Sequence, residues 1–344
     1  MKKNVIWGNL QFRMMKKMNY KILKYLKWGL FGLFAILLLY AFFFLVPSLV
    51  LPFLKDRAFH VGTDNPIDDF GLMGDSYGIF NALFSALAFF GVLITIVVQS
   101  RDNRKRTIVE QYYKMIDEQQ KVIDEINVSP VRRVKPGVDV PVVKGRKAFV
   151  EFKIQLKYLV IEIRKIASEG GFELSDTDIA DVAYAVFYYG SAPSWKPFMM
   201  EYLKDYKDTE KLVDAIIAKL GSNNRFVLDR PNHNYLSVFF RNMYNAIKLI
   251  DNSSLFRDDE KVNYVKVLRS QLSNSELYVL FFNLISRFGK KWVDNNYVVK
   301  YQLIQNLPPK YCDGYNPKDY FPDIKFEGEE LCLSPFTEKV VLRE

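Results

Sequence analysis

Two long runs of the chain carry no charged residue: Trp28–Leu54, 27 positions, and Ser76–Ser100, 25 positions. An α-helix crosses the apolar core of a bilayer in about 20 mostly apolar residues, so each run is long enough. A helix buried in a soluble protein of this size keeps a polar face at a period near 3.6, and LFGLFAILLLYAFFFLV keeps none. The pattern therefore predicts a transmembrane hairpin over 28–100. Its helices fall at about 28–50 and 77–99, joined by a polar loop over 55–75.

Beyond Ser100 the pattern turns amphipathic. TIVEQYYKMIDEQQKVIDEI continues the second span as a helix, with Ile108, Tyr112, Met115, Val122 and Ile126 near one face. Ser129–Lys144, rich in proline and in valine–basic alternation, reads as a linker or short hairpin. Helices follow over Arg146–Ser168, stopped by Gly170-Gly171, and from the N-cap Ser175 to Tyr189, stopped by Gly190. Further helices fit Asp208–Leu220, Tyr235–Asp251 and Asp258–Gln271. Ser273 and Glu276 have the spacing of a capping box for a helix running to Phe288, and a last helix fits Asn295–Asn306. The fold class expected is all-α: a two-helix membrane hairpin, then a cytoplasmic helical domain over 101–309. Residues 310–344 are expected to form an irregular tail, and strands only minor pieces.

Charge changes how that layout is oriented. The net charge is +9, and residues 1–27 alone hold eight Lys or Arg and no acid. The loop between the runs is net acidic, and Arg101, Arg104, Lys105 and Arg106 follow the second run. Basic flanks stay cytoplasmic and bind anionic headgroups. Both termini are thus expected in the cytoplasm, with the loop facing outward. Because the excess basicity sits beside the bilayer, no sequence-specific nucleic-acid binding by the chain itself is expected. The first run is too long for a signal peptide, and no small-x-small site follows it.

Within the second span Gly78, Ala82 and Ala86 recur every four residues, with Ser85 beside them, a spacing that suits close helix packing. Asn81 lies inside the span and Thr95 near its end. An intramembrane Asn needs a polar partner or water, so this face is either interhelical glue, within the hairpin or between copies of the chain, or the lining of a pore. The bilayer and self-association through the hairpin are the partners this implies.

The soluble part carries no glycine-rich phosphate loop, no HExxH and no GxSxG. Cys312 and Cys332, with His60 and His233, give no metal-ligand spacing. No catalytic residue, metal or cofactor is assigned. Two polar groupings stand out: Arg241, Tyr244, Lys248 and Asp251 share one helix face, and Arg269, Gln271, Ser273 and Glu276 gather near a helix–helix turn. With His233 they form either an Arg–carboxylate network that fixes helix packing or a pocket that senses a ligand or partner.

These segments resemble a known family. GDSYGIFNALFSALAFFGVLITIVVQS is similar to the second span of the phage abortive infection (AbiC-like) proteins. GRKAF (Gly145–Phe149), AVFYYG (Ala185–Gly190), NHNYLSVFFRNMYNAIKLID and YVKVLRSQLSNSELYVLFFNLISRFGKKW extend the likeness from about Gly74 to Leu307. Arg241, Tyr244, Leu268, Arg269, Gln271, Leu272, Ser273 and Glu276 meet the family pattern, while the aromatic before the Arg is here Phe239-Phe240. The resemblance implies antiviral defence at a bacterial inner membrane, and the two-span layout resembles toxic effectors found beside retron reverse transcriptases. It implies no catalytic residues. Arg241 is not followed by the His that HEPN ribonucleases place four to six residues later on the same helix. The expectation is a membrane effector that kills or arrests the infected cell when released from an inhibitory partner, a reverse transcriptase with its RNA–DNA product. The competing readings are a membrane-tethered, nuclease-like helical enzyme and a passive membrane scaffold.

Overall fold

A computed structural model describes residues 66–133, 141–308 and 310–327. The first apolar run, the basic segment 1–27, residues 55–65 of the expected loop, and the tail beyond 327 with Cys332 lie outside the described residues. The Cα positions group into two compact units, Met1–Val97 and Val98–Glu344.

In the first unit the described chain is helical from the start. Helix α1 spans Pro66–Asp124, so it begins about ten residues before the expected span. Residues 66–75 are nearly three helical turns where a loop was expected. The fixed φ of Pro66 and its missing N–H suit the first helical position, a signal the glycines of the segment obscured. From Asn81 the helix is long and apolar enough to cross a membrane, with a window of mean hydropathy 2.3 of which none is buried. Leu87, Phe89, Phe90, Val92, Ile94 and Val97 all stand exposed, Ile94 at 65% and Val97 at 68%. Gly78 has open space around it, and Asn81, Ala82, Ser85 and Ala86 are exposed. Thr95 turns its hydroxyl back to the Gly91 carbonyl at 2.8 Å, the usual way to satisfy a hydroxyl on a helix.

The second unit is a helical assembly around α2 (Ala148–Gly170), α3 (Asp176–Tyr189) and α8 (Asn274–Ile285), which pack on one another. Helix α2 buries Phe149, Phe152, Leu156, Leu159, Val160, Ile163 and Ile166, the i, i+3, i+4 stripe that faces a core. Helix α8 is buried almost all round, from Glu276 to Leu284. Around these sit α4 (Lys196–Tyr202), α5 (Thr209–Gly221), α6 (His233–Asp251), α7 (Asp258–Ser270), α9 (Lys290–Asp294), α10 (Tyr297–Lys300) and α11 (Pro317–Tyr320). The only sheet among the described residues is the antiparallel pair β1 (Asn127–Val128) and β2 (Val143–Lys144), whose first strand precedes the Ser129–Lys144 segment read as a linker or short hairpin.

The last turns of α1 belong to this unit. Tyr112, Ile116, Gln119 and Ile123 are its buried positions, Ile126 is buried just past its end, and Ile108, Met115 and Val122 are half-buried beside them. The Tyr112 hydroxyl donates to the Tyr264 carbonyl at 2.6 Å, and Lys105 pairs with Glu260 at 2.7 Å. Ser175 caps α3 in a full capping box with Asp178, and Ser273 caps α8 with Glu276 in the same way. Gly171 and Gly190 take positive φ of 67° and 80° where α2 and α3 stop.

Two helix boundaries differ from the expectation. Helix α8 ends at Ile285 instead of Phe288, because Ser286 turns extended and its hydroxyl donates to the Asn283 carbonyl at 2.7 Å. The helix expected over Asn295–Asn306 is one turn, α10. Arg269 draws the Tyr301 and Gln302 carbonyls at 3.3 and 3.0 Å, and Gln302 adopts φ 52°. The chain from 310 to 327 is part of the core, burying Cys312, Tyr315, Phe321, Ile324 and Phe326. Helix α4 was not expected. Pro193 and Pro197 stand at the first positions of its short turn and helix, which is the preference that would have revealed it.

Candidate functional site

Helix α6 buries Leu236, Phe239, Phe240, Met243, Ala246, Ile247 and Ile250, which leaves its other face to solvent. On that face Arg241, Tyr244 and Lys248 stand one above another, as their spacing requires, and they line a cavity of about 700 Å³. The opposite wall comes from Tyr188 at the end of α3, Asn283 of α8, and Phe288, Lys291, Trp292 and Asn295 around α9. A volume between roughly 300 and 1,000 Å³ is that of ordinary small-molecule sites.

Its chemistry is basic, aromatic and amide. Arg241, Lys248 and Lys291 line it, and no carboxylate does. None of the three makes an ion pair among the described residues, although Lys105, Lys157, Lys196, Lys219, Lys300 and Arg287 of the same unit all do. Tyr244 packs edge-on to Trp292 at 5.2 Å, and Tyr188 lies 4.5 Å from Phe288. The Tyr244 hydroxyl accepts from Asn295 Nδ2 at 3.2 Å. Burial raises the Tyr188 phenol pKa, and the hydrogen bond with Ser237 and the charge of Arg241 work against that rise. Asn283 is 4% exposed, its Nδ2 donates to the Tyr184 hydroxyl at 2.9 Å, and its Oδ1 has no partner among the described residues. Asn245 and Lys248 also line a neighbouring groove of about 800 Å³ against Arg104, Ile108, Gln111 and Lys114 of α1.

The remaining sequence candidates lie elsewhere. Asp251, the fourth residue of the α6 face, does not line the cavity. It holds Lys300 Nζ at 2.5 Å and accepts from the Tyr301 hydroxyl at 2.6 Å. His233, the first residue of α6, packs against Trp195 at 4.9 Å and Tyr188 at 6.1 Å, with Nδ1 unpartnered among the described residues. At the α7–α8 turn, Arg269 binds carbonyls and not a carboxylate. The partner of Glu276 is Arg146, at 3.6 Å, which also donates to the Gln271 carbonyl at 2.9 Å and to Gln120 at 3.0 Å. Arg146 of GRKAF thus meets the SQLSNSE block across 125 residues of chain. Burial, outweighing the Ser273 and Arg146 contacts, raises the Glu276 pKa above the usual carboxylate value.

Sequence reasoning missed Asn283, Lys291, Trp292 and Tyr188 as cavity residues. It also missed the most heavily satisfied carboxylate of the unit. Asp181, 4% exposed, accepts from Tyr202 and Tyr206 hydroxyls at 2.8 and 2.9 Å and from Arg287 N and Nε at 2.8 and 2.9 Å. Tyr188 lies in AVFYYG at the end of α3, and Lys291 and Trp292 lie in the GKKW that opens α9, so the signal was present without its geometry.

Residues 231–311 match the family model described as putative phage abortive infection protein. Over this segment the chain is similar to the AbiC-like family. The match runs from the start of α6 through α10 to Tyr311, and every lining residue of the cavity except Tyr188 falls inside it. The AbiC-like segment therefore contributes one wall of the core, through α8, and nearly the whole of the cavity. No curated protein and no solved structure matches the chain.

Proposed function

We propose that this AbiC-like chain is a membrane-bound effector of phage abortive infection, which arrests or kills the infected cell by perturbing its inner membrane. One observation carries the reading: an apolar, fully exposed helical stretch in the same chain as the AbiC-like segment. A contiguous apolar surface of that kind is not stable in water, and lipid is the medium that removes the cost. Non-enzymatic action fits a soluble unit whose polar clusters are absorbed in packing, as Asp181, Asp251 and Glu276 are. The basic flanks support two spans with cytoplasmic termini. In this scheme the helical unit is the switch. The end of α1 is fixed to α7 through Lys105–Glu260 and Tyr112–Tyr264, so a change at α6 and α7 is felt by α1. The inhibitor released on infection would be a cytoplasmic partner such as a reverse transcriptase with its RNA–DNA product, a reading that rests on the retron likeness.

Expressing the full chain in bacteria with a potential-sensitive dye tests this. Growth arrest should coincide with loss of membrane potential. Arrest with an intact potential would remove the membrane mechanism and favour a tethered enzyme, and an absence of toxicity without partners would favour a scaffold.

A further inference from the structure

We propose that the cavity of Arg241, Lys248 and Lys291 binds a nucleotide, a small phosphate ester that carries a planar heteroaromatic base. This goes beyond the membrane reading and does not depend on it.

Three independent features meet there. The first is charge: three cations face the cavity, no carboxylate lines it, and none of the three is ion-paired among the described residues. Elsewhere in the unit some cations are paired and others, such as Arg104, Lys114 and Lys266, make no ion pair among the described residues. What sets the cavity apart is three cations lining one space with no carboxylate, an arrangement that suits an anion arriving from outside. An Arg with two Lys suits phosphate oxygens, the Arg by its planar fork and the Lys as point charges. The second is aromatic surface. Tyr188, Tyr244 and Phe288 are half-buried on the walls, and a base stacks on such rings with little regard to its identity. The third is Asn283. This cavity residue is 4% exposed and its Oδ1, one of several buried polar atoms of the unit without a partner among the described residues, would accept from a base amine after a small turn of its side chain. A lipid headgroup phosphate would use the cations alone and leave the aromatic walls and Asn283 idle, so the three features together select the base-bearing ester.

The test uses the full chain in nanodiscs of neutral lipid, with equilibrium dialysis of labelled ATP and GTP. Adenosine, pyrophosphate and glycerophosphoglycerol, a headgroup mimic, serve as competitors. Saturable binding of one nucleotide per chain is expected, with each competitor at least about tenfold weaker. Arg241→Ala and Lys291→Ala, both at exposed positions, should each weaken binding about tenfold at an unchanged melting temperature. Tyr244→Leu should weaken ATP and leave the weaker pyrophosphate unchanged. Absence of saturable nucleotide binding overturns the proposal. So does pyrophosphate or glycerophosphoglycerol binding as tightly as ATP, which needs no variant to fold, and so does wild-type affinity in well-folded Arg241→Ala and Lys291→Ala.

Discussion

Asp181→Asn probes the strongest polar anchor of the helical unit. The carboxylate sits on α3 among four donors: two phenols, a backbone N–H and the Arg287 guanidinium. Arg287 is held further by the rings of Tyr202 and Tyr206, whose centroids lie 4.5 and 5.0 Å from its Cζ. Asparagine keeps one acceptor oxygen and replaces the other with an N–H₂ that faces donors. Two of the four bonds are lost, each a bond to a charged group worth about 1.5–3 kcal/mol. Arg287 is about a third exposed, so water recovers part of its share, and the net cost is about 2–4 kcal/mol. For a unit of this size that lowers the melting temperature by about 5–15 °C. The sign with pH is also fixed. Burial first, then the Asp181 charge, pushes the Tyr202 and Tyr206 phenols above 10.0. Stability therefore falls as pH climbs past the unfolded phenol value, and it falls less steeply in Asp181→Asn. Denaturation of the full chain in neutral detergent, followed by circular dichroism, measures both. A double-mutant cycle with Arg287→Ala should return a coupling of about 1–3 kcal/mol. A melting temperature within a degree of wild type, or zero coupling, refutes the reasoning.

Glu276→Gln tests the buried carboxylate of the α8 cap. Its raised pKa means that the folded state holds the proton longer than the unfolded chain, so the native protein loses stability as pH rises from about 4.5 through the folded value. Glutamine keeps the capping box and removes that slope, so the variant should gain on wild type as pH rises in urea titrations at pH 4 to 8; a constant difference sinks the idea. Gly190→Ala places a Cβ 2.7 Å from the Asp229 carbonyl at φ 80°, and should cost about 2–4 kcal/mol in the same titration. Full stability would mean that the AVFYYG turn relaxes freely. Val92→Lys puts a charge in the middle of the apolar window at about 2.5–3.5 kcal/mol, and should move the chain from the carbonate-resistant to the extractable fraction. Unchanged fractionation would mean that this helix is not the anchor.

The elements legible in the sequence were those whose ends carry local chemistry. Ser175 with Asp178, Ser273 with Glu276, and Gly171 and Gly190 at helix stops each act within a turn of their own position, so α2, α3 and the start of α8 follow from spacing alone. The illegible boundaries are those decided from far away. Nothing near Gln302 shows that the helix must end there. The decision belongs to Arg269, 33 residues earlier, whose guanidinium takes the carbonyls that a helix would have used. The same arginine was paired in sequence with Glu276 because the two lie seven residues apart. In the fold it faces α10, and Arg146 from the start of α2 reaches Glu276 instead. The apolar tail residues Cys312, Tyr315 and Ile324 have no period, so only packing assigns them to the core.

The cavity shows the same division, and it explains why the site looked ordinary in the sequence. Arg241, Tyr244, Lys248 and Asp251 share a helical face, and a face with two cations and one acid invites the reading of a self-contained ion-pair network. That reading requires Asp251 to turn toward the cations of its own helix. The fold gives Asp251 better partners in Lys300 Nζ and the Tyr301 hydroxyl, while Lys261 donates to its backbone carbonyl. Once Asp251 is committed at the end of α6, Arg241 and Lys248 have no acid on their own face, and α9 brings Lys291, a third cation, in place of a carboxylate. Whether a cation is paired is thus a property of the tertiary arrangement. The arrangement that tightens the α6–α10 corner also leaves the cavity beside it charged, with aromatic walls and one buried amide oxygen that lacks a donor.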